Sequence, residues 1–163
     1  MKEQTCCFTG HRDISEGDTA GIVRLLEYEV EKLICEGVCY FGAGGAQGFD
    51  TIAAQVVLKM RERHPQIRLI LVLPCRDQTQ RWNQKDKQIY DAILSRADKV
   101  VYLADQYYRG CMHQRNRYLV DHSGHCICYL RRDMGGTAYT VRYAKSKGVH
   151  VINLFLIEES GVN

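Results

Sequence analysis

Short, almost wholly apolar runs alternate with longer stretches in which apolar residues return every three or four positions, from one end of the chain to the other. Residues 5–10 (TCCFTG) read as a buried strand. Residues 19–37 then carry Ile22, Leu25, Leu26, Val30, Leu33 and Ile34 on one helical stripe, closed by Gly37. Residues 38–44 form a second apolar run. Residues 50–65 place Ile52, Ala53, Val56, Val57 and Met60 at helical spacing and stop at Pro65. Residues 67–74 are almost continuously apolar, as a strand covered by helices on both faces should be. The second half repeats the rhythm: helix 85–97, strand 99–104, helix 112–123, strand 125–130, helix 137–148, strand 150–155. Six strands with five intervening helices call for right-handed crossovers and a parallel sheet. The expected fold is therefore α/β, a three-layer Rossmann-like sheet with helices on both faces, as one domain over residues 1–163.

In such a sheet, ligands bind beyond the carboxyl ends of the strands, near the point where strand order reverses. Arginine follows four of the first five strands: Arg12, Arg76, Arg109, and the pair Arg131 and Arg132. Glycine pairs precede two of the predicted helices. Unpaired N–H groups at a helix start, closely approachable past glycine, suit an anion, and the guanidinium fork suits phosphate or carboxylate. The bland reading is that these arginines pair with neighbouring aspartates while the glycines only turn the chain.

The stretch from Phe41 to Ala54, FGAGGAQGFDTIAA, matches neither standard phosphate loop. A dinucleotide fingerprint starting at Gly42 would need glycine where Gln47 stands, and it should follow the first strand rather than the second. A Walker loop needs Gly-Lys-Ser/Thr where Gly48-Phe49-Asp50 stands. What remains is a tight glycine turn with Asp50 capping the first N–H groups of a helix, or reaching a sugar hydroxyl.

Composition narrows the function classes. At 163 residues and 45% apolar, the chain can bury one substantial core. Its longest apolar run is far short of the roughly 20 residues that span a bilayer, and the first ten residues lack a signal-peptide core, so a soluble, cytoplasmic protein with no membrane partner is expected. Eight cysteines without matched metal-ligand spacing read as reduced thiols, with no metal and no required cofactor. A net charge of +3 argues against a dedicated nucleic-acid binder, although Tyr107, Tyr108 and Arg109 form an aromatic-basic cluster able to stack on single strands. His11, directly after the first strand, stands as a catalytic candidate or a hydrogen-bonding histidine. Cys111, at a helix start, has no readable base, and Trp82 either packs under its loop or stacks on a base.

Three segments in order, GAGGAQGFDTIAAQVVL, QRNRYLVDHS and GGTAYTVRYAKSKGVHVINL, resemble the SMF/DprA-LOG (SLOG) superfamily, and TGHR with LPCRDQTQRW resembles its YpsA-like branch. The resemblance covers nearly the whole chain. It implies a nucleotide-derivative site over the strand ends, formed by Gly10, Arg12, Gly44, Gly45, Gly48, Asp50, Arg115, Asn116, Gly135, Gly136 and Thr137. It further implies a module that binds or senses a phosphorylated nucleotide derivative, with a protein partner or a homodimer left open. In the LOG enzymes, which cleave N-glycosidic bonds of nucleoside monophosphates, a glutamate follows the Gly-Thr pair by three residues; here Thr140 occupies that position. Hydrolysis using Asp50 or His11 instead, and DprA-like binding of single-stranded DNA, are the alternatives.

Overall fold

The computed structural model describes residues 1–160; the last three residues of the expected 1–163 domain lie outside it. After a 3-10 turn at Lys2–Gln4, the order is β1 (Thr5–Gly10), α1 (Glu16–Cys35), β2 (Tyr40–Ala43), α2 (Phe49–Arg61), β3 (Arg68–Leu73), α3 (Gln84–Arg96) and β4 (Lys99–Tyr102). The chain continues through α4 (Cys111–Asp121), β5 (His125–Tyr129), α5 (Gly136–Ser146), β6 (His150–Asn153) and α6 (Leu154–Glu159).

All six strands are parallel, in the order β4-β3-β2-β1-β5-β6. The Rossmann-like expectation holds. Winding runs outward from β1 to β4, then returns to place β5 beside β1, with Cys7 opposite Cys126 and Gly10 opposite Tyr129. That return makes the β1/β5 seam the switch point.

Alternation along the strands builds two cores. Phe8, Phe41, Leu69, Leu71 and Ile127 face α1, α2, α3 and α6, where Ile22, Leu26, Phe49, Val57, Ile93 and Leu154 meet them. Cys7, Val72, Cys126 and Cys128 face α4 and α5, against Leu119, Val120, Val141 and Ala144. The predicted α1 stripe is the buried one at Ile22, Leu26, Val30 and Leu33, with Leu25 and Ile34 at its margins.

The C-terminal helix is additional to the five expected. Residues 150–155 read as one strand, but β6 stops at Asn153, whose side chain accepts the N–H of Phe155 at 3.1 Å and starts α6. The apolar run simply continues across a change of backbone conformation. Among the described residues no helix is long and apolar enough to cross a membrane, all eight thiols are free, and no group of three or more His, Cys, Asp or Glu side chains is placed to hold a metal.

Candidate functional site

The site is assembled around the carboxyl end of β1. At Gly10 a side chain would run into the ring of Phe49, so this close crossing of β1 and α2 requires glycine. The next carbonyl, of His11, accepts the N–H of Phe49 at 3.1 Å. The His11 ring, 5% exposed, reaches across the seam, and its Nε2 accepts the backbone N–H of Arg131 at 2.9 Å. Accepting at Nε2 leaves Nδ1 to carry the proton. Burial first, then the charges of Arg132 and Arg131, lowers the pKa of His11 and keeps it neutral.

Asp13 closes the same corner. Its carboxylate takes both Nη groups of Arg132, at 3.1 and 3.0 Å, and its carbonyl accepts from Arg131 Nη2 at 2.9 Å. The Arg132 hydrogen bonds are the main reason its pKa falls to about 2. Arg76 likewise pairs with Asp105 at 3.2 Å and stacks over Tyr102. The bland reading thus holds for Arg76, Arg131 and Arg132. Arg12 is exposed and has no acidic partner among the described residues.

The glycine loop behaves differently from its sequence reading. Gly48 precedes α2 with φ 77° and lies against the backbone carbonyl of Arg12, where no side chain fits. Asp50 does not cap the helix. Its buried carboxylate turns back and accepts the N–H of Ala46 at 3.3 Å, while Thr51 Oγ1 donates to the Ala46 carbonyl at 2.9 Å, so both side chains pin the loop. Burial raises the pKa of Asp50, opposed by the charge of Arg115 and by the Ala46 N–H.

Arg115, on α4, is 4% exposed. Its Nη1 donates to the Gly44 carbonyl, its Nε to Asn116 Oδ1 at 2.7 Å, and its Nη2 rests on Met112 Sδ. Burial lowers its pKa while Asp50 pulls it up, so the two form a buried electrostatic couple across the loop. At Gly44 a side chain would overlap the guanidinium. The start of α5 is open by contrast: Gly135 has φ 93° and ψ −171°, and added side chains at Gly135 or Gly136 would meet nothing within 4 Å. Thr137 is buried behind them, and Thr140 donates to the Gly136 carbonyl at 2.8 Å.

These elements enclose a cleft of about 540 Å³ over the switch point. Gly10, His11, Arg12, Asp50, Arg115, Asn116, Arg132, Gly135, Gly136 and Thr137 all line it, so ten of the residues singled out in the sequence meet in one place. Gly44, Gly45 and Gly48 stand behind the wall: they admit Arg115, the Leu73 and Gln78 side chains, and the Arg12 backbone, respectively. Sequence reasoning missed Thr9, Asp13, Ala46, Met112, His113 and Met134 as wall residues. The GHRD run at the end of β1 was the available signal for Asp13.

A parallel six-stranded sheet with a polar cleft at its switch point defines an α/β protein of the Rossmann type. Within that class the chain belongs to the YpsA (YspA SLOG) family, whose family model matches residues 8–160. A UPF0398 protein of Halalkalibacterium halodurans is 33% identical over 129 residues, covering 77% of this chain and 68% of the relative. The SPbeta prophage-derived protein YoqJ of Bacillus subtilis is 28% identical, covering 71% of this chain and 75% of the relative. Among solved structures, the DNA processing protein DprA of Streptococcus pneumoniae superposes with a TM-score of 0.65 at 18% identity, over 90% of this chain and 48% of that one. DprA of Helicobacter pylori, solved for its single-stranded DNA binding mode, superposes with a TM-score of 0.66 at 16% identity, over 98% and 74%. The chain thus spans about half the length of the pneumococcal DprA chain.

Proposed function

We propose that the protein binds or senses a phosphorylated nucleotide derivative in the cleft between β1, β5 and the starts of α4 and α5. The observation that carries this reading is Arg12. The other two arginines of the cleft wall are engaged, Arg115 by Gly44 and Asn116 and Arg132 by Asp13, which leaves the Arg12 guanidinium available. A phosphate between Arg12 and the N–H groups opened by Gly135 and Gly136 would receive a charged fork and the positive end of α5 together. The Nδ1–H of His11 supplies a further donor at the wall. A volume of about 540 Å³ falls within the usual range for small-molecule sites.

The test is thermal unfolding with nucleotides, ADP-ribose and dinucleotides. A ligand that binds only the folded state stabilises it by about 2.7 kcal/mol at one hundred times its Kd. Arg12→Ala should leave the ligand-free Tm unchanged, because the side chain is exposed and unpaired, and weaken binding roughly 10- to 100-fold, the range for a hydrogen bond to a charged group. The reading is wrong if no anionic ligand shifts the Tm.

A second reading, single-stranded nucleic-acid binding, is favoured by one surface feature. His113 packs on Tyr139 at 4.8 Å, Arg117 lies over Tyr139 and Tyr143, and Lys147 lies over Tyr143, so a basic-aromatic ladder leads from the cleft wall along α4 and α5. Gel-shift binding that weakens steeply with salt would support it, and no binding at low salt would remove it.

A further inference from the structure

A second cavity of about 420 Å³ adjoins the cleft, and Arg12 and Met112 line both. Its remaining wall comes from the segment after β3 and from Tyr107, after β4. The two segments are latched: Asp77 Oδ1 accepts the backbone N–H of Tyr107 at 2.9 Å. Trp82 is held by an edge-to-face contact with Tyr90 at 5.4 Å, and Gln78 Nε2 donates to the Tyr90 hydroxyl at 3.4 Å. Three features of this wall have no use inside the protein. Tyr107 is 62% exposed beside the cavity, although its backbone is fixed. The Gln78 carboxamide oxygen is buried and has no partner among the described residues. Arg12, at the junction, is unpaired.

We propose that this second cavity takes the heteroaromatic base of the ligand whose phosphate end lies in the first. The inference rests on the nucleotide reading above and deepens it. A base offers a flat π-face for Tyr107 or Trp82 and hydrogen-bonding edges for Gln78, while Arg12 sits where the charged and aromatic parts of one ligand meet. The two cavities meeting at one arginine define a bipartite ligand, charged at one end and aromatic at the other.

The chain has a single tryptophan, Trp82, which makes its fluorescence a local reporter of this cavity. Ribose 5-phosphate and the four nucleoside 5′-monophosphates are titrated into the protein, with Kd read from thermal shift and fluorescence recorded in parallel. The monophosphate with the fitting base is expected to quench Trp82 and to bind roughly 10-fold or more tightly than ribose 5-phosphate, which leaves the emission unchanged. Tyr107→Ala should remove most of that advantage and Tyr107→Phe should keep it, with ribose 5-phosphate affinity the same in all three proteins. Ribose 5-phosphate and every nucleotide binding equally, without quenching and without an effect of Tyr107→Ala, would overturn the base site and leave the phosphate site standing. Binding by neither class of probe would overturn both.

Discussion

The imidazole Nε2 of His11 accepts the backbone N–H of Arg131 at 2.9 Å, joining residues 120 positions apart across the one seam where the strand order reverses. The bond needs a neutral ring with Nε2 unprotonated. Burial and the two neighbouring arginines lower the pKa of His11 from its ordinary 6.5. As the pH falls through about 6.5 the unfolded chain takes up the proton before the folded one does, so stability drops below that value and gains nothing from His11 above it. Thermal unfolding between pH 7.5 and 5 should show this loss, and His11→Gln, whose amide oxygen can accept the same N–H without titrating, should reduce it. An unchanged pH profile in the variant would mean that the imidazole titrates freely.

Gly44 and Arg115 make a second long-range join. The guanidinium occupies the space that any side chain at Gly44 would take, while donating to the Gly44 carbonyl. Gly44→Ala should destabilise the protein by about 1–3 kcal/mol through overpacking. Arg115→Leu strands the Gly44 carbonyl and leaves Asp50 without its compensating charge, at a cost of about 1.5–3 kcal/mol. Because both changes break one contact, the double variant should lose less than the two losses added together. Urea unfolding of the four proteins decides it; strict additivity would show the contact to be incidental.

The two glycines at the start of α5 separate backbone need from ligand space. Gly135 has φ 93° and ψ −171°, a region reserved for glycine, so Gly135→Ala should cost about 1–3 kcal/mol although nothing crowds the new methyl. Gly136 has neither a positive φ nor a close neighbour. Gly136→Ala should change stability by less than about 0.5 kcal/mol, yet weaken the binding of any phosphate seated there. Paired Tm and ligand-titration measurements distinguish the two effects, and the phosphate position fails if Gly136→Ala binds as the wild type does.

The layers of this fold were legible because each rests on local periodicity. Continuous apolar runs mark strands covered on both faces, and the α1 stripe at Ile22, Leu26, Val30 and Leu33 repeats at the helical period. The sixth helix was hidden because Leu154 to Ile157 prolongs the apolar run of β6, and only the Asn153 cap separates them. At the site, glycine-rich turns and strand-end arginines pointed to the right end of the sheet. Their individual jobs were not legible, because each depends on which strands are neighbours. Nothing near Arg115 in sequence reveals that Gly44 receives it, and a capping position for Asp50 gives no sign that its carboxylate turns back to Ala46. Arg12 stood equal to four other arginines until the partners of those around it were known.

Hydrolysis of an N-glycosidic bond would need a carboxyl group free to give or take a proton near neutral pH. Thr140, where the sequence resemblance would place the LOG glutamate, is buried and tied to the Gly136 carbonyl. Asp13 is held ionised by Arg132, with a pKa of about 2, which unfits it as a proton donor. Asp50 has a raised pKa, the right direction for an acid, but its carboxylate holds the Ala46 N–H and faces Arg115 across the loop. Incubation with nucleoside 5′-monophosphates should therefore release no free base above the protein-free control. Thr140→Glu should lower the Tm, since a carboxylate replaces a buried hydroxyl, without creating activity. Base release by the wild type that disappears in Asp50→Asn would reverse this assignment: the raised pKa would then belong to a proton donor, and the loop clip at Ala46 would be its resting position between turnovers.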